Sequence, residues 1–255
     1  MCYIYLSINI FFFSLFFSNL LVSDPNYFLY LIIISVLSLL AIFCFLKAIK
    51  IGEISMSIPL LSYSPLLSLL FSNYFLGENL EAQQYFGVVT IFFGSFILYS
   101  KSLKVQDLLL SPITLMKNKG AQLIICVTII WSIIPVLDKK SLTYTDIYLH
   151  GFLQSLLIVF LLLIFIKTPI TKKIIKLKKK KEIFLFLLLI IFSFLTTLLQ
   201  FLALKINLVP ILEVFKRAIG ILLALYFGYF FFNEKINKQK IISIIVITLG
   251  LLFVI

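Results

Sequence analysis

The chain has 255 residues, 62% of them hydrophobic, with a formal net charge of +12 and a mean hydropathy of +1.18. A soluble domain is only about half apolar, so this composition excludes an ordinary soluble protein and indicates an all-α, polytopic membrane protein. The lysines lie between apolar segments, as in cytoplasmic loops, so the positive charge does not predict a nucleic-acid partner. The three cysteines lack metal-ligand spacing, and we expect no metal and no cofactor.

Nine apolar segments have about the length that a helix needs to cross a bilayer. In chain order, the predicted spans are 3–22, 28–47, 55–76, 83–100, 121–137, 147–166, 183–203, 208–232 and 240–255. Most of the connections are short, so neighbouring helices are expected to run antiparallel. Residues 1–22 have no basic leading region and no convincing cleavage site, and we interpret them as a retained helix.

The distribution of lysine predicts the orientation of these spans. The loops at 47–53, 101–119, 167–182 and 234–240 contain 17 lysines, whereas the loops of the opposite face contain three. Lysine-rich loops favour the cytoplasmic side, so nine spans place the N-terminus inside and the C-terminus outside. The acidic residues predicted to lie in outer loops are Asp24, Glu78, Glu81, Asp138 and Asp146.

A long repeat relates the two parts of the chain. Residues 26–98 align without a gap with residues 182–254 at an offset of 156 positions. The copies begin five predicted helices apart, an odd number, so the second copy is inverted relative to the first. Inverted repeats place a substrate site between two halves. We therefore predict a four-helix repeat at 1–100, a cytoplasmic linker at 101–120 and a five-helix repeat at 121–255. The first helix of a ten-helix architecture is then missing, with two explanations left open: a misassigned or lost start, or a protein that works with nine helices.

Two segments of this repeat carry a family pattern. Residues 58–98 and 209–255 each read as a helix, a short turn with glutamate, and a helix that opens near glutamine and contains glycine. The matching positions are Pro65, Gly77, Glu78, Gln83, Gln84, Gly87, Gly94, Pro210, Glu234, Gln239 and Gly250. This pattern resembles the EamA-like transporters of the drug/metabolite transporter superfamily. The resemblance implies two inverted five-helix halves around a central cavity, in an inner-membrane carrier for small metabolites, amino acids or drug-like solutes.

Arg217, the only arginine, lies in the apolar span 208–232 beside Lys216 and four residues after Glu213. Ionisable groups at membrane depth are costly and usually face a cavity or a partner. One hypothesis is that Arg217 and Lys216 attract a carboxylate-bearing substrate, with Glu213 orienting the arginine or exchanging protons. The alternative is a structural ion pair between Glu213 and Arg217 along their own helix, with Arg217 extending to the outer interface.

Polar residues in other spans are further candidates for a solute path. Tyr63 is bracketed by Pro59 and Pro65, and interrupted helices often mark transport sites. The predicted substrate-binding set is completed by Trp131, Gln154 and Gln200. Each of these side chains has the alternative of packing or hydrogen-bonding across helices without contacting a solute.

Three further sets of residues have a structural and a functional interpretation. His150, the sole histidine, is either an interfacial packing residue or a ligand or proton relay. Glu78 and Glu234, in equivalent turns, are predicted to cap the next helix, with a coupling site as the alternative. Gly94 and Gly250 are predicted to permit close packing of helices.

Together these patterns predict a secondary transporter or exporter of small metabolites, of the amino-acid-like or organic-anion kind, that works by alternating access. A flippase for a lipid-linked carrier is the alternative, followed by a membrane-embedded lipid-modifying enzyme. The acids are scattered and there is one histidine, so we expect no catalytic residues and no enzyme. The expected partners are a small-molecule substrate and membrane lipids, with a homodimer left open, and the expected location is the inner (cytoplasmic) membrane of the cell.

Overall fold

The computed structural model describes residues 10, 13–14, 22–51, 61, 63–99, 119–165, 180–232 and 238–254. Within these residues the regular elements are eight α-helices, each of which overlaps a predicted span. They are α1 (Asn26–Ile51), α2 (Ser64–Leu76), α3 (Ala82–Tyr99), α4 (Lys119–Ser141), α5 (Ile147–Phe165), α6 (Lys180–Ile206), α7 (Val209–Phe232) and α8 (Lys238–Val254). The predicted span 3–22 and most of the predicted linker 101–120 lie outside the described residues, as does Glu234.

The helices have the surface expected of a protein in lipid. By length and composition, α1, α4 and α5 are able to cross a membrane, and α2, α3 and the stretch Ile191–Ile206 are shorter apolar helices. Large apolar side chains are exposed along them, among them Leu29 at 58% and Phe165 at 66%. Exposed apolar faces of this extent require an apolar solvent, so the fold is that of a helical membrane protein.

The described contacts divide the chain into two compact units. The first unit consists of residues 1–39 and 137–206, and the second unit of residues 40–136 and 207–255. The divisions fall within α1 and α4, so each of these helices contributes to both units. Each unit therefore combines segments of both predicted repeats, and the division of the sequence at 1–100 and 121–255 stays a prediction.

In the second unit, α3 packs closely against α8 through glycines. A Cβ atom added to Gly94 would lie 2.7 Å from Cγ1 of Ile247, and one added to Gly250 would lie 2.5 Å from Cγ1 of Ile91. Gly87, earlier in α3, faces Val254 at the end of α8, so the two helices run antiparallel. The prediction that Gly94 and Gly250 permit close helix packing is confirmed.

The two glycine contacts are equivalent under the 156-position offset of the sequence repeat. The offset of 156 converts Gly94 into Gly250 and Ile247 into Ile91, so it converts one contact into the other. Reciprocal contacts of this kind are those that a two-fold axis produces. The helices α2 and α7, which the same offset aligns, also pack against each other in this unit.

The ends of α2 are set by proline and glycine. Pro65 lies in the first turn, where its missing N–H costs no hydrogen bond between residues of α2 itself, and Gly77 ends the helix with a φ of 67°. The following residue, Glu78, accepts a hydrogen bond of 2.9 Å at Oε2 from the backbone N–H of Val209, the first residue of α7. A carboxylate at a helix N-terminus is favourable. Glu78 therefore serves the start of α7, and its predicted role as a cap of the next helix, α3, stays a prediction.

In the first unit, the short connection between α4 and α5 is tied to the chain before α1. The N–H and Oγ of Ser23 both donate to the carbonyl oxygen of Tyr144, and the rings of Tyr30 and Tyr144 stack with centroids 6.0 Å apart. Deeper in the unit, Leu39 is buried with Ile158 and Leu162 of α5. These contacts fix the start of α1 beside the start of α5.

The helix α4 is longer than predicted. The apolar pattern predicts that this span ends at residue 137 and that Asp138 lies in an outer loop, whereas α4 continues to Ser141 and buries Asp138, which is 2% exposed. The prediction for Asp138 was wrong because a carboxylate ends an apolar run in the sequence but remains in a helix when polar partners surround it.

Candidate functional site

The start of α2 leaves one backbone carbonyl without its usual helical donor. In a continuous helix the carbonyl oxygen of Leu61 would accept the N–H of residue 65, but Pro65 has no N–H. The side chain of Arg217, on α7, supplies a donor: its Nη2 makes a hydrogen bond of 2.6 Å to this oxygen. The only arginine of the sequence is thereby fixed, half-buried, at the interrupted start of a helix.

The neighbouring charges on α7 form an ion pair. Nζ of Lys216 lies 2.7 Å from Oε1 of Glu213, and the glutamate is buried whereas the lysine side chain is 42% exposed. A buried carboxylate without a cation would be costly, so Lys216 stabilises the charge of Glu213. The predicted structural alternative paired Glu213 with Arg217; the ion pair observed for Glu213 is with Lys216.

Two predicted aromatic residues pack against the buried cluster that contains Leu61. Tyr63 and Trp131 lie against a buried cluster made of Ala48, Leu61, Ala121, Ile124 and Val127. The ring of Tyr63 is 4.9 Å from that of Phe92, and the ring of Trp131 is 5.3 Å from that of Phe45. Arg217 bonds to Leu61, and Tyr63 and Trp131 pack against the cluster that contains Leu61; we name these four residues the Leu61 site.

A second set of polar side chains is buried in the first unit. Tyr27, His150 and Asp138 are 0%, 0% and 2% exposed. The hydroxyl of Tyr27 lies 3.1 Å from Nδ1 of His150, and Nε2 of His150 lies 3.3 Å from Oδ1 of Asp138. Gln154 donates from Nε2 to the same Oδ1 atom at 3.2 Å. We name these four residues the His150 network; it links α1, α4 and α5 by hydrogen bonds in the membrane protein's interior.

The rings around His150 are aromatic. The imidazole meets Tyr27 and Phe201 edge to face, with ring centroids 5.8 Å and 5.1 Å apart. Phe201 belongs to α6 and is 2% exposed. These rings exclude water from the network, which strengthens the polar interactions inside it.

The structure separates the predicted substrate-binding residues into two groups. Arg217, Lys216, Glu213, Tyr63 and Trp131 belong to the second unit, while Gln154 and Gln200 belong to the first. Gln154 is part of the His150 network, and Gln200 immediately precedes Phe201 on α6. The role of all seven residues in substrate binding stays a prediction.

Sequence reasoning did not identify Tyr27 and Asp138 as members of a site. A signal was present for Asp138: it lies three residues before the end of α4, and His150 lies three residues after the start of α5. A short connection between antiparallel helices places such positions at the same depth. The wrong end assigned to the span, at residue 137, concealed this relationship.

One more polar group lies close to Asp138 along α4. Ser141 is 0% exposed, and its Oγ is the one buried side-chain atom without a hydrogen-bond partner among the described residues. Positions three apart share a face of a helix, so Ser141 follows Asp138 by one turn toward the end of α4.

The fold is similar to that of solved structures. Twenty-six chains of solved structures match, and for one crystal structure the TM-score is 0.70 at 16% sequence identity, covering 99% of this chain and 84% of the other. At this identity the likeness shows the fold alone. No curated protein matches the chain in sequence.

The family is shown by the sequence itself. The model of the EamA-like transporter family matches residues 2–100 and 118–255, which together are nearly the whole chain. Members of this family are membrane transporters of small solutes rather than enzymes, and the apolar helices agree with a multi-pass membrane protein. The expected resemblance is confirmed, and this chain belongs to the EamA-like transporter family of the drug/metabolite transporter superfamily.

Proposed function

We propose that this protein is a secondary transporter that exports small metabolites across the inner (cytoplasmic) membrane, with amino-acid-like or organic-anion solutes as substrates. The observation that carries the proposal is the position of Arg217 in the Leu61 site. The carbonyl of Leu61 holds one guanidinium nitrogen of Arg217 in a fixed direction. An oriented guanidinium in a medium of low polarity favours a carboxylate ligand.

The other residues of the Leu61 site suit a small organic solute. Tyr63 offers a ring and a hydroxyl, and Trp131 offers a ring and one N–H donor. Small-molecule sites are mostly apolar and contain a few placed polar groups. The Leu61 site has that composition, because Tyr63 and Trp131 pack against a buried aliphatic cluster and Arg217 bonds to Leu61, a member of that cluster.

We further propose that transport uses alternating access of the inverted repeats at 1–100 and 121–255. Two observations support this mechanism. The family model matches two segments, 2–100 and 118–255, that follow the predicted repeats. The reciprocal contacts of Gly94 and Gly250 are those expected of repeats related by a two-fold axis.

The test is solute flux in proteoliposomes that contain the purified full-length protein. A radiolabelled amino-acid mixture and radiolabelled succinate serve as parallel probes. Loss of a charge-assisted hydrogen bond costs about 1.5–3 kcal/mol, so we expect Arg217→Ala to raise the half-saturating solute concentration about 10- to 100-fold. Arg217→Lys keeps the charge but not the planar fork, and we expect an intermediate effect.

The matched control is Lys205→Ala, which removes an exposed cation from the end of α6. We expect its flux to equal that of the wild type. Full flux in Arg217→Ala would reject the anion site, and the absence of flux of either probe by the wild type would reject this substrate class.

A further inference from the structure

We propose that the His150 network is the proton-binding site that couples export to an inward proton movement. This inference rests on the proposed transport function and adds the coupling ion to it. An ionisable group inside a membrane protein is costly, and proton relays are a principal reason to retain one. Here two ionisable groups, His150 and Asp138, are in contact and almost fully buried in the first unit.

The distances define a consistent unloaded state. With Asp138 ionised, Nε2–H of His150 donates to Oδ1 at 3.3 Å, and Gln154 donates to the same atom at 3.2 Å. The imidazole is then neutral and its Nδ1 is an acceptor, so the hydroxyl of Tyr27 donates to Nδ1 across 3.1 Å. In this state each of the two described hydrogen bonds of the imidazole joins one donor to one acceptor. The carboxylate of Asp138 gives the network a net charge of −1.

Proton binding requires only a rotation of one hydroxyl group. An incoming proton takes the lone pair of Nδ1, and the new N–H donates to the oxygen of Tyr27, whose own hydrogen turns away. The imidazolium and the carboxylate of Asp138 then form an ion pair without net charge. Since a net buried charge is expensive, the loaded state is the one better suited to an apolar interior.

The ionisable side chains in described contact with the imidazole of His150 are those of Tyr27 and Asp138. Among the described elements packed against it, α1 contributes Tyr27, α4 contributes Asp138, and α6 contributes Phe201, which cannot titrate. On its own helix, α5, the neighbouring polar residue is Gln154, which has no titratable group. In the sequence, the charged residues nearest to Asp138 and His150 are Lys139, Lys140 and Asp146.

The network also lies close to the predicted outer end of α4 and α5. Asp138 and His150 are three residues from the connection that joins α4 to α5, a connection that the lysine distribution predicts to be outside. Ser141, one turn nearer to that connection, has a buried hydroxyl without a described partner. A hydroxyl both donates and accepts, so it is suited to pass a proton toward Asp138.

The experiment compares two transport modes in the same proteoliposomes, with the labelled amino-acid mixture or labelled succinate as the probe. In antiport, an acid interior drives accumulation of the probe as protons leave. Counterflow at equal pH on both sides measures exchange without a proton gradient. We expect the wild type to show both modes, and Asp138→Asn and His150→Gln to lose gradient-driven accumulation while they retain counterflow.

Three other variants distinguish loss of proton coupling from loss of solute binding and from general effects of substitution. Tyr27→Phe keeps the ring contacts but removes the hydroxyl, and we expect it to weaken gradient-driven accumulation. Ser155→Ala, a buried polar change elsewhere on α5, is expected to behave as the wild type. Arg217→Ala is expected to reduce both modes about 10- to 100-fold at low solute concentration, so failure of the substrate site is distinguished from failure of coupling.

Two results would overturn the coupling proposal. One is wild-type flux that neither responds to a pH gradient nor moves protons, as read by a trapped pH-sensitive dye; this result would leave the proposed transport function intact. The other is a folded, monodisperse Asp138→Asn or His150→Gln variant that keeps its gradient response or loses counterflow as well. A loss of both modes would assign the network a purely structural role.

Discussion

Nη2 of Arg217 donates a hydrogen bond to the carbonyl oxygen of Leu61, the residue that the 156-position offset aligns with Arg217 itself. The two positions are equivalent in the repeat, yet one supplies the donor and the other the acceptor. Pro65 explains the difference, because it removes the N–H that would otherwise bond to Leu61. The position equivalent to Pro65 is Ile221, which has an N–H. The two copies therefore differ at two neighbouring positions: Pro65 aligns with Ile221, and Arg217 aligns with Leu61.

The bond between Arg217 and Leu61 predicts a dependence on Pro65. We expect Arg217→Ala to reduce the free energy of unfolding by about 1–3 kcal/mol, because it leaves the carbonyl of Leu61 without a donor. In a Pro65→Ala background, residue 65 regains an N–H that can bond to this carbonyl. The cost of Arg217→Ala should then fall, which thermal unfolding of the four proteins in detergent measures as a double-mutant cycle. An equal cost in both backgrounds would show that the carbonyl is not the relevant partner.

The close approach of α3 and α8 predicts that a methyl group is not tolerated at Gly94 or at Gly250. Gly94→Ala and Gly250→Ala would each place a Cβ atom within 3 Å of an isoleucine side chain. We expect each change to destabilise the protein by about 1–3 kcal/mol, as overpacking does. Gly220→Ala is the control, since nothing lies within 4 Å of its added Cβ atom, and it should be neutral or stabilising by up to about 1 kcal/mol. Similar melting temperatures for all three variants would contradict the packing described.

Much of the fold was predictable because it depends on properties that are local in sequence. Apolar runs give the helices, and α1, α3 and α5 begin and end within a few residues of the predicted spans. The repeated glycines predicted the close contact of helices, because glycine at equivalent positions has few other uses in a membrane helix. The end of α4 was not predictable from hydropathy, because burial of Asp138 depends on Gln154 and His150, which follow it in the chain.

The hydrogen bond of Glu78 predicts a measurable effect at the start of α7. Glu78→Ala removes the acceptor for the N–H of Val209, and we expect a loss of about 1 kcal/mol, the usual cost of a lost helix cap. Glu78→Gln keeps a neutral acceptor and should cost less. The control is Glu81→Ala, whose exposed side chain lies in the same turn. The measurement is thermal unfolding in detergent, and equal losses for the Glu78→Ala and Glu81→Ala variants would contradict the cap.

The His150 network predicts which imidazole nitrogen carries hydrogen. In alkaline buffer the neutral ring should carry its hydrogen on Nε2, because Asp138 accepts there and Tyr27 donates to Nδ1. The chain has one histidine, so isotope-labelled histidine gives the NMR signals of this ring alone. Asp138→Asn should weaken the preference for Nε2, whereas Ser155→Ala should not change it. A hydrogen on Nδ1 in the wild type would reverse the assigned donors and acceptors.

The candidate sites were only partly predictable from the sequence. Arg217 was identifiable because a lone arginine inside an apolar span is rare and costly. Its partner was not, since the acceptor is a backbone carbonyl 156 positions away whose availability depends on Pro65. The pairing of Glu213 with Lys216 was equally undetermined, because positions three and four residues apart are both within reach on a helix.

The most direct test of the account is solute flux by the Arg217→Ala variant in the Pro65→Ala background, compared with Pro65→Ala alone. In that background residue 65 can supply the hydrogen bond to Leu61, so a structural requirement for the arginine is relieved. We predict that flux of the labelled amino-acid mixture or succinate still falls about 10- to 100-fold at low solute concentration, because the guanidinium binds the solute. Equal flux by the single and double variants would contradict the account and leave Arg217 as a residue that only holds α2.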